Sequence, residues 1–420
     1  MADWRKAKLI DIAAQKRWAL NGGPFGSKLT TKHYTDSGVP VIRGGNLSGG
    51  ARFSFEDFVW VSDEKADELL PNNAHPGDLV FTQRGTVGQV GLIPLDAPFK
   101  RFVISQSQMK LTPDPEKADA LFLYYYFSSP ATVKSIENLA FAAGVPHINL
   151  EIFRNFEVPL PPLPIQRRIA GILSAYDELI ENSQRRIRLL EAMARSLYRE
   201  WFVHFRFPGH EDHPRVASAL GEIPAGWEGI FGDIAAIDRN SINPSDFPDE
   251  RFEHFSIPAF DDGCTPAVEL GKTILSNKYC IDDSCVLLSQ LNPRIPRIWL
   301  PAPSGMMRAV TSTEFLTLKP KPGFTREFIY AKCCADEFVG QFASLAIGTS
   351  TSHQRVKPEN LLSMPSTVPD RKVVEQFTKL VAPMLVISEK LRTKIQNLRQ
   401  TRDLLLPRLL AGQVELEAVA

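Results

Sequence analysis

The few reactive groupings in this sequence each lack a residue that their chemistry requires. The string ELGKTI, from Glu269, resembles the end of a phosphate-binding loop, but that motif needs glycine where Pro266 stands. An amino-methyltransferase site would need an Asn/Asp-Pro-Pro-Tyr/Phe tetrad, and the nearest string, NPSDF from Asn243, lacks the second proline. PDPEK and PDRK only faintly resemble nuclease motifs, and a surface turn explains each of them better. We therefore predict no catalytic residue in the chain.

The histidines and cysteines do not form a metal-binding pattern. His204, His210 and His213 share a segment rich in Gly, Pro and charge, which favours a solvated linker over a metal site. Cys280 and Cys285 have no matching second pair, so we expect no structural zinc. The five cysteines all lie in one half of the chain, which argues against a disulfide framework and favours a reducing cytoplasm.

Side chains suited to DNA cluster instead in loop-like segments of both halves. Base reading needs donors such as Arg, Asn and Gln, and phosphate contacts need Lys, Arg and backbone N–H groups. Glycines beside Arg43 and Arg84 let the backbone approach a ligand closely. The candidates of the first half are Lys28, Arg43, Asn46, Gln83, Arg84, Lys100, Arg101, Gln106 and Gln108. Those of the second half are Lys278, Gln290, Asn292, Arg294, Arg297, Arg308, His353, Gln354 and Arg355.

We expect more than half of these residues to lie on one DNA-facing side, although a solvated or ion-paired surface role remains the alternative for any single arginine. In the second half LNPRIPRIW replaces the glycine loop of the first, which predicts that the two halves read different sequences.

Composition limits the class of protein. A chain of 420 residues predicts two or three domains, and a hydrophobic fraction of 44% is enough for a sizeable core. Lys+Arg and Asp+Glu both number 48, which argues against a broad basic surface but not against a local basic stripe. No apolar run approaches the roughly 20 residues of a membrane span, and the N-terminus lacks a signal-peptide core.

The chain repeats itself. HINLEIFRNFEVPLPPLPIQRRIAGIL, from His147, resembles HQRVKPENLLSMPSTVPDRKVVEQFTKL, from His353, at an offset of 206. IRLLEAMARSLYREWF, from Ile187, parallels IQNLRQTRDLLLPRLL, from Ile395, at an offset of 208. The openings DWRKAKLIDIAA and GWEGIFGDIAA also match. Pairs that recur in the same order indicate an internal repeat.

A long helix with a heptad seam is predicted at the end of each repeat. We expect the two helices to pair with each other, antiparallel, as a spacer of roughly 60 Å between two globular domains. Packing against another subunit or a parent domain is the alternative. Pro383 should kink or interrupt the second helix. The first seam is Ile169, Ile172, Tyr176, Leu179, Ile187, Leu190, Ala194, Leu197 and Trp201. The second seam is Val374, Phe377, Leu380, Met384, Leu391, Ile395, Leu398, Leu405 and Leu409.

Short β-type runs between Gly-rich turns, followed by a helical patch, predict an α+β fold for each globular part. The first spans 1–157 and the second 227–364. The Pro-rich junction and first helix span 158–206, an exposed linker spans 207–226, the second helix spans 365–412, and 413–420 form a tail.

This plan resembles the specificity subunit of type I restriction-modification systems. The resemblance rests on VPLPPLPIQRRIAGIL, ARSLYREWFVHFRFPGHE, GVPVIRGGNL, GDLVFTQRGTVG and QNLRQTRDLLLPRLLAG, and it covers nearly the whole chain. The family usually carries Glu-Gln after the prolines, whereas this chain has Ile165-Gln166 in the first copy and Asp370-Arg371 in the second.

The resemblance implies a non-catalytic subunit in which each target-recognition domain reads one half of a split double-stranded DNA target. It implies that the helices dock two methyltransferase subunits, and that restriction subunits join the full complex. No cofactor is expected on this chain, whereas S-adenosylmethionine, ATP and Mg are expected on partner subunits. The residues expected to contact the methyltransferase are Gln166, Arg167, Tyr176, Trp201, Arg371 and Phe377.

Two other classes of function stay open at this point. A coiled-coil interaction scaffold without a DNA role is compatible with the balanced net charge, and DNA footprinting would distinguish it. An enzyme acting alone would transfer a labelled methyl group as the purified single chain.

Overall fold

The computed structural model describes residues 4–47, 52–142, 147–347, 354–414 and 416, with no account of the side chains of 141 and 142. His353 and most of the tail lie outside these ranges. The chain divides into two compact units. The first unit comprises Met1–Glu178 and Leu398–Ala420, and the second unit comprises Leu179–Asn397. None of the helices within the described ranges combines the length and apolar composition that a membrane span requires.

The first unit is built from short strands and helices. Its strands are β1 Lys6–Lys8, β2 Leu20–Gly22, β3 Tyr34–Thr35, β4 Val39–Ile42, β5 Val59–Val61, β6 Asn73–Ala74, β7 Leu79–Thr82, β8 Val90–Leu92, β9 Phe102–Ile104, β10 Gln108–Leu111 and β11 Glu157–Pro159. Its helices are α1 Leu9–Ile12, α2 Asp63–Glu68, α3 Ala120–Ser128, α4 Pro130–Ala142 and α5 Leu150–Arg154. The helix α6, Leu163–Tyr198, begins in this unit, and a π-helical turn, Arg199–Val203, extends it.

The second unit follows the same pattern. Its strands are β12 Arg215–Ser218, β13 Gly221–Pro224, β14 Glu228–Ile230, β15 Ala235–Asp238, β16 Ser241–Ile242, β17 Arg251–Phe255, β18 Ala267–Leu270, β19 Lys278–Cys280, β20 Val286–Ser289, β21 Ile298–Trp299, β22 Arg308–Thr311, β23 Phe315–Pro320 and β24 Pro365–Thr367. Its helices are α7 Phe231–Ile234, α8 Ile257–Asp261, α9 Arg326–Cys333, α10 Asp336–Ser344 and α11 Pro358–Leu362. The last helix, α12, is Arg371–Leu410.

The strand order confirms the α+β fold class and the internal repeat. The antiparallel order β2-β10-β7-β8 recurs as β15-β23-β20-β21, and the pair β1-β11 recurs as β14-β24. A second sheet, β3-β5-β4-β9-β6, shares its four-strand core with β18-β17-β22-β19-β16, and each has one parallel pair, β4-β9 or β17-β22. The copies differ at one edge, because β3 adds beside β5 whereas β16 adds beside β19.

Within the first unit the two long helices pack in antiparallel directions. Ile169 and Leu173, near the start of α6, share one apolar core with Leu406 and Leu409, near the end of α12. This core also includes the first four-stranded sheet and α3. Burying such side chains is worth roughly 1.5–3 kcal/mol each, so the end of α12 contributes strongly to this unit.

Within the second unit the same packing recurs with larger side chains. Trp201 lies in the π-helical turn that extends α6, and its ring centroid is 6.0 Å from that of Phe377, near the start of α12. The side chains of Glu191 and Arg392 form an ion pair further along the two helices, so the helices are antiparallel here as well. An offset of 208 relates β11 to β24, two residues more than the sequence comparison gave for this segment. At that offset Phe377 corresponds to Ile169 and Leu409 to Trp201, so the same helix positions form the contact in both units.

The predicted register of α6 is wrong by one residue in its first half. Leu173, Asp177 and Ile180 are buried, whereas Leu179 is 46% exposed. Buried residues separated by alternating steps of four and three form a heptad seam that includes the carboxylate of Asp177. Apolarity alone selected Leu179 instead, because a buried aspartate is rare unless it is paired. A similar error in α12 selected Leu380, which is 49% exposed.

The prediction that Pro383 interrupts the second helix is wrong. Helix α12 runs without a break for 40 residues, through both Pro383 and Pro407. Proline removes one helical N–H and crowds the carbonyl of the fourth preceding residue. Pro383 is exposed, as is Lys379, so water can satisfy the carbonyl that loses its helical partner.

The segment predicted as a linker, 207–226, is largely exposed but has regular structure. It contains the hairpin of β12 and β13, whose register pairs Val216 with Ile223. Phe207 is buried and its ring stacks on Trp227 at 4.9 Å between centroids, with an interplanar angle of 22°. Aromatic stacking and burial therefore attach both ends of this segment to the core of the second unit.

Candidate nucleic-acid interface

In the first unit Gln83 joins three loops at the end of strand β7. Its backbone N–H donates to the carbonyl of Ser107 at 2.8 Å, and its side-chain Nε2 donates to the carbonyl of Gln106 at 2.7 Å. The carbonyl of Gln83 accepts from the N–H of Ile148 at 3.0 Å. We name this set of three hydrogen bonds the Gln83 junction. It holds the loop that carries Arg84 against the turn that follows β9.

Gln106 attaches a further loop to this junction. Its Nε2 donates to the carbonyls of Gly26 and Leu29, at 2.5 and 2.9 Å, on either side of Lys28. Gly23 allows the close approach that these bonds need, because a Cβ there would lie 2.1 Å from the carbonyl oxygen of Ser105. The spacing of glycines in GGPFGSK thus positions Lys28 beside the turn that contains Gln106.

The loop of Arg43 reaches the same turn. The N–H of Ser105 donates to the carbonyl of Ile42 at 3.0 Å. Asn46 is 2% exposed, and its side chain accepts from the Arg43 N–H and donates to the carbonyls of Ser54 and Glu56. Asn46 therefore shapes this loop and is not available to DNA, so its predicted role in base reading is wrong.

The exposed cations of the first unit differ in their partners. Lys28, Arg84 and Lys100 are exposed, and within the described part of the chain their side chains have no hydrogen bond or ion pair. Arg43 donates to the carbonyl of Asp57 at 2.6 Å and stays exposed.

Lys100 and Arg101 precede β9, whereas the Gln83 junction follows this strand. They therefore lie at the opposite end of β9 from Gln106. Arg101 is also held by Asp67 and Asp63 at 2.5 and 2.7 Å, and these two carboxylates raise its pKa further. Gln108 starts β10 and is 1% exposed, which is incompatible with a role in base reading.

The second unit repeats the junction at Gln290, 207 positions later. The backbone N–H of Gln290 donates to the carbonyl of Glu314 at 2.9 Å, and its Nε2 donates to the carbonyl of Thr313 at 2.9 Å. Its carbonyl accepts from the N–H of Val356 at 3.1 Å. This Gln290 junction consists of the same three hydrogen bonds between equivalent loops.

Carboxylates neutralise most of the predicted arginines of the second unit. Arg297 makes a bidentate ion pair with Asp261 at 2.7 and 2.9 Å. Arg355 makes one with Glu314 at 3.0 and 2.7 Å, and this partner raises the pKa of Arg355.

Arg308 pairs with Glu250 at the start of β22, at the far end of this strand from the Gln290 junction. Lys278 is 7% exposed and donates to the carbonyl of Ser276, which removes it from the surface. The prediction that Lys278 binds DNA is therefore wrong.

The remaining candidates of the second unit lie on the loop after β20. Arg294 is exposed and has no side-chain partner within the described ranges. Asn292 adopts a left-handed backbone with φ 49°, a conformation that asparagine tolerates, and its N–H donates to the carbonyl of Gln354. The Gln290 junction thus brings together Arg294, Gln354 and the ion-paired Arg355.

Three of the residues predicted to contact a partner subunit are buried. Trp201 and Phe377 are 7% and 0% exposed in the core of the second unit. Gln166 is 0% exposed, accepts from the N–H of Asp119 and donates to the carbonyls of Lys117 and Pro161. These three predictions are wrong, because all three side chains are used within their own unit. Arg167 and Arg371 are exposed and Tyr176 is half-buried, so their predicted role stays a prediction.

Beside the Gln83 junction lies an exposed aromatic side chain, Phe25, that residue type alone did not mark as a DNA contact. Phe25 is 78% exposed and lies in the loop that Gln106 binds, three residues before Lys28. Apolar side chains at such positions contact thymine methyl groups in DNA complexes. In the sequence Phe25 stands between Pro24 and Gly26, and an aromatic residue between two turn-forming residues could have indicated an exposed loop position. No group of three His, Cys, Asp or Glu able to hold a metal ion occurs among the residues that the structure describes.

The chain is similar to known proteins along its whole length. Residues 1–192 match the family model described as type I restriction modification DNA specificity domain. The type I restriction enzyme MjaIX specificity subunit of Methanocaldococcus jannaschii is 23% identical over 438 residues, which cover 99% of this chain and 94% of the relative. The HindI specificity subunit of Haemophilus influenzae is 21% identical over 485 residues, which cover 99% of this chain and 100% of the relative.

A solved structure shares the fold. The crystal structure of the type I restriction-modification system S subunit from M. genitalium aligns with a TM-score of 0.61 and 17% identity, covering 97% of this chain and 96% of that one. The duplicated strand order and the two long helices are thus accompanied by sequence similarity to specificity subunits over the full length of the chain. Residues 1–192 therefore match a type I restriction modification DNA specificity domain, and the chain as a whole is similar to the specificity subunits of type I restriction-modification systems.

Proposed function

We propose that each unit of this specificity subunit reads one half of a split DNA target through the loops at its glutamine junction. The observation that carries the proposal is the same three-bond junction in both units, each holding exposed cations on short loops. Arg84 and Lys28 lie on such loops in the first unit, and Arg294 does so in the second. Under this proposal the chain is the recognition subunit of the complex and not its catalyst, in keeping with its similarity to specificity subunits.

The two half-targets differ in sequence under this proposal, because equivalent positions carry different chemistry. Ser107 in the first unit corresponds to Glu314 in the second. In the first unit an isolated β-bridge joins the backbones of Arg84 and His147. In the second unit the equivalent bridge joins Leu291 and Arg355, so Leu291 takes the place of Arg84 and Arg355 that of His147. Because base preference depends on the donors and acceptors that a loop presents to the groove, these differences would give the two units different base preferences.

The long helices hold the two half-sites at a fixed spacing in this proposal and dock two methyltransferase subunits. Exposed apolar side chains on both helices support docking, among them Leu189, Met193, Val386 and Ile387. Restriction subunits join the full complex. S-adenosylmethionine, ATP and Mg belong to the partner subunits, and the assembly works in the cytoplasm.

Substitution of one unpaired arginine in each unit tests the DNA role. Arg84→Ala and Arg294→Ala should each weaken sequence-specific binding while the fold survives, as seen by circular dichroism. Arg101→Ala is the matched control, since it removes the same charge at the opposite end of β9 and should leave specific binding unchanged. Normal methylation in the assembled enzyme by both Arg84→Ala and Arg294→Ala would contradict these assignments.

The spacer model has its own test. Mapping methylated adenines in the host genome should give a split motif with one adenine in each half, and an unsplit motif would defeat the model. Footprinting separates DNA recognition from the scaffold alternative, because a scaffold protects no bipartite site.

A further inference from the structure

We infer that Gln83 and Gln290 are positioning residues that determine specificity: each sets the arrangement of the recognition loops of its own unit without reading a base itself. The inference rests on the proposed function. Sequence alone suggested both residues as base readers, because glutamine can bind adenine through its amide oxygen and nitrogen together.

The side-chain bond of each glutamine is made to a backbone carbonyl and not to another side chain. Gln83 Nε2 donates to the carbonyl of Gln106, and Gln290 Nε2 donates to the carbonyl of Thr313. The acceptors belong to equivalent turns, although their side chains differ. A bond to backbone does not depend on the side chains of the turn, so the same glutamine serves two units that carry different recognition residues.

The geometry of the junction links three segments at once. In each unit one glutamine contributes its N–H, its carbonyl and its side-chain amide to two neighbouring segments. Arg84 follows Gln83 directly in the chain, and the carbonyl of Gln83 accepts from the N–H of Ile148 in the third segment. Releasing the side-chain bond leaves both backbone bonds in place. The unit should therefore stay folded while the relative placement of its loops loosens.

In the first unit the effect extends to a further loop. The carbonyl of Gln106 accepts from Gln83, and the Gln106 side chain binds the loop of Lys28 and Phe25. The Gln83 junction and the Gln106 side chain thus connect four segments of the first unit: the loop of Arg84, the turn that contains Gln106, the segment of Ile148 and the loop of Lys28. In the second unit Thr313 occupies the place of Gln106, and its short hydroxyl side chain lacks the amide N–H groups that make this extension.

The test uses the full-length chain and a library of random double-stranded DNA, selected for binding and sequenced. The variants are Gln83→Met and Gln290→Met, which keep the side-chain length and remove the amide. Each variant is the matched control for the other, since the same substitution is made in opposite units. Gln83→Asn keeps the amide but is too short to span the bond, and it replaces Gln83→Met if that variant fails to fold.

A positioning role predicts that Gln83→Met lowers discrimination at several base pairs of one half-site, by about five- to tenfold in total, which corresponds to about one neutral hydrogen bond. The other half-site should keep its preferences, and Gln290→Met should show the reverse pattern. The slope of affinity against salt concentration should stay unchanged, because the phosphate contacts remain. The melting temperature should change little.

Three results would overturn the inference. A loss confined to one base pair would identify Gln83 as a reader of that base. Unchanged preferences in both variants would show that the junction has no bearing on recognition. A wild-type chain that enriches no motif would refute the proposed function and the inference with it. The first two results refute the inference alone, because in both of them the wild-type chain still enriches a motif.

Discussion

Replacing Asp177 by alanine should destabilise the first unit by about 3 kcal/mol. Asp177 lies in the buried seam of α6, where its carboxylate accepts from the hydroxyl of Tyr125 at 2.5 Å and from Arg402 of α12 at 2.6 Å. Arg52 approaches it at 3.8 Å. Burial, followed by the bond to Asp177, raises the pKa of Tyr125 well above its ordinary value, so this hydroxyl remains a donor at all moderate pH values.

The magnitude follows from what the substitution leaves behind. The Asp177 side chain is 12% exposed and that of Arg402 is 25% exposed. Removing one member of a buried pair costs about 3–5 kcal/mol, since its partner remains desolvated and unpaired. The partial exposure of Arg402 places the expected loss at the lower end of this range. Asp177→Leu combined with Arg402→Met should recover most of the loss, because an apolar seam needs no ion pair.

The assay is urea unfolding followed by circular dichroism, with hydrogen exchange of the amides of α3 to assign the change to the first unit. Asp177→Asn serves as the matched control, since it keeps two polar atoms of similar size and should cost less than alanine. A loss below about 1 kcal/mol for Asp177→Ala would refute the reasoning, because exposed pairs contribute no more than that. The reasoning would also be refuted if the double variant, Asp177→Leu with Arg402→Met, were as unstable as Asp177→Ala.

Three further substitutions concern stability. Burial lowers the pKa of Lys332 from 10.5 to about 8, so between these values the unfolded chain holds a proton that the folded chain has released, and stability rises with pH. Lys332→Met should therefore stabilise the second unit by about 3 kcal/mol at pH 7 and by much less at pH 10. Urea unfolding at both pH values measures this difference, and an equal gain at both would contradict the prediction. Gly171→Ala on the exposed face of α6, where a Cβ meets no atom within 4 Å, should raise stability by about 1 kcal/mol in the same assay, with Gly340→Ala in α10 as the parallel case.

The sequence predicted the architecture well because repeats and helical periodicity are properties of many residues at once. The antiparallel helices and the duplicated α+β units follow from such patterns. Register is harder, because one polar residue can belong to a seam when its partners are distant in sequence. Arg402 and Tyr125 make Asp177 suitable for the interior, and neither is adjacent to it in the chain.

The candidate interface was predictable only in part, because residue type does not reveal how a side chain is used. Arg84 and Gln83 are neighbours, yet one is exposed and unpaired within the described ranges while the other binds a backbone carbonyl. Asn46 looked like a base reader but shapes its own loop. The ion pairs of Arg297 and Arg355 depend on carboxylates 36 and 41 residues away, which no local pattern indicates.

The division of the chain has a consequence for synthesis on the ribosome. The second unit is one continuous stretch, whereas the first unit needs Leu398–Ala420 in addition to its N-terminal part. Residues such as Arg402, Leu406 and Leu409 are translated after the whole of the second unit. Until they emerge, the carboxylate of Asp177 and the apolar face near Ile169 have no partner from α12. Although domains usually mature in the order of their translation, here the unit that is begun first is the one completed last.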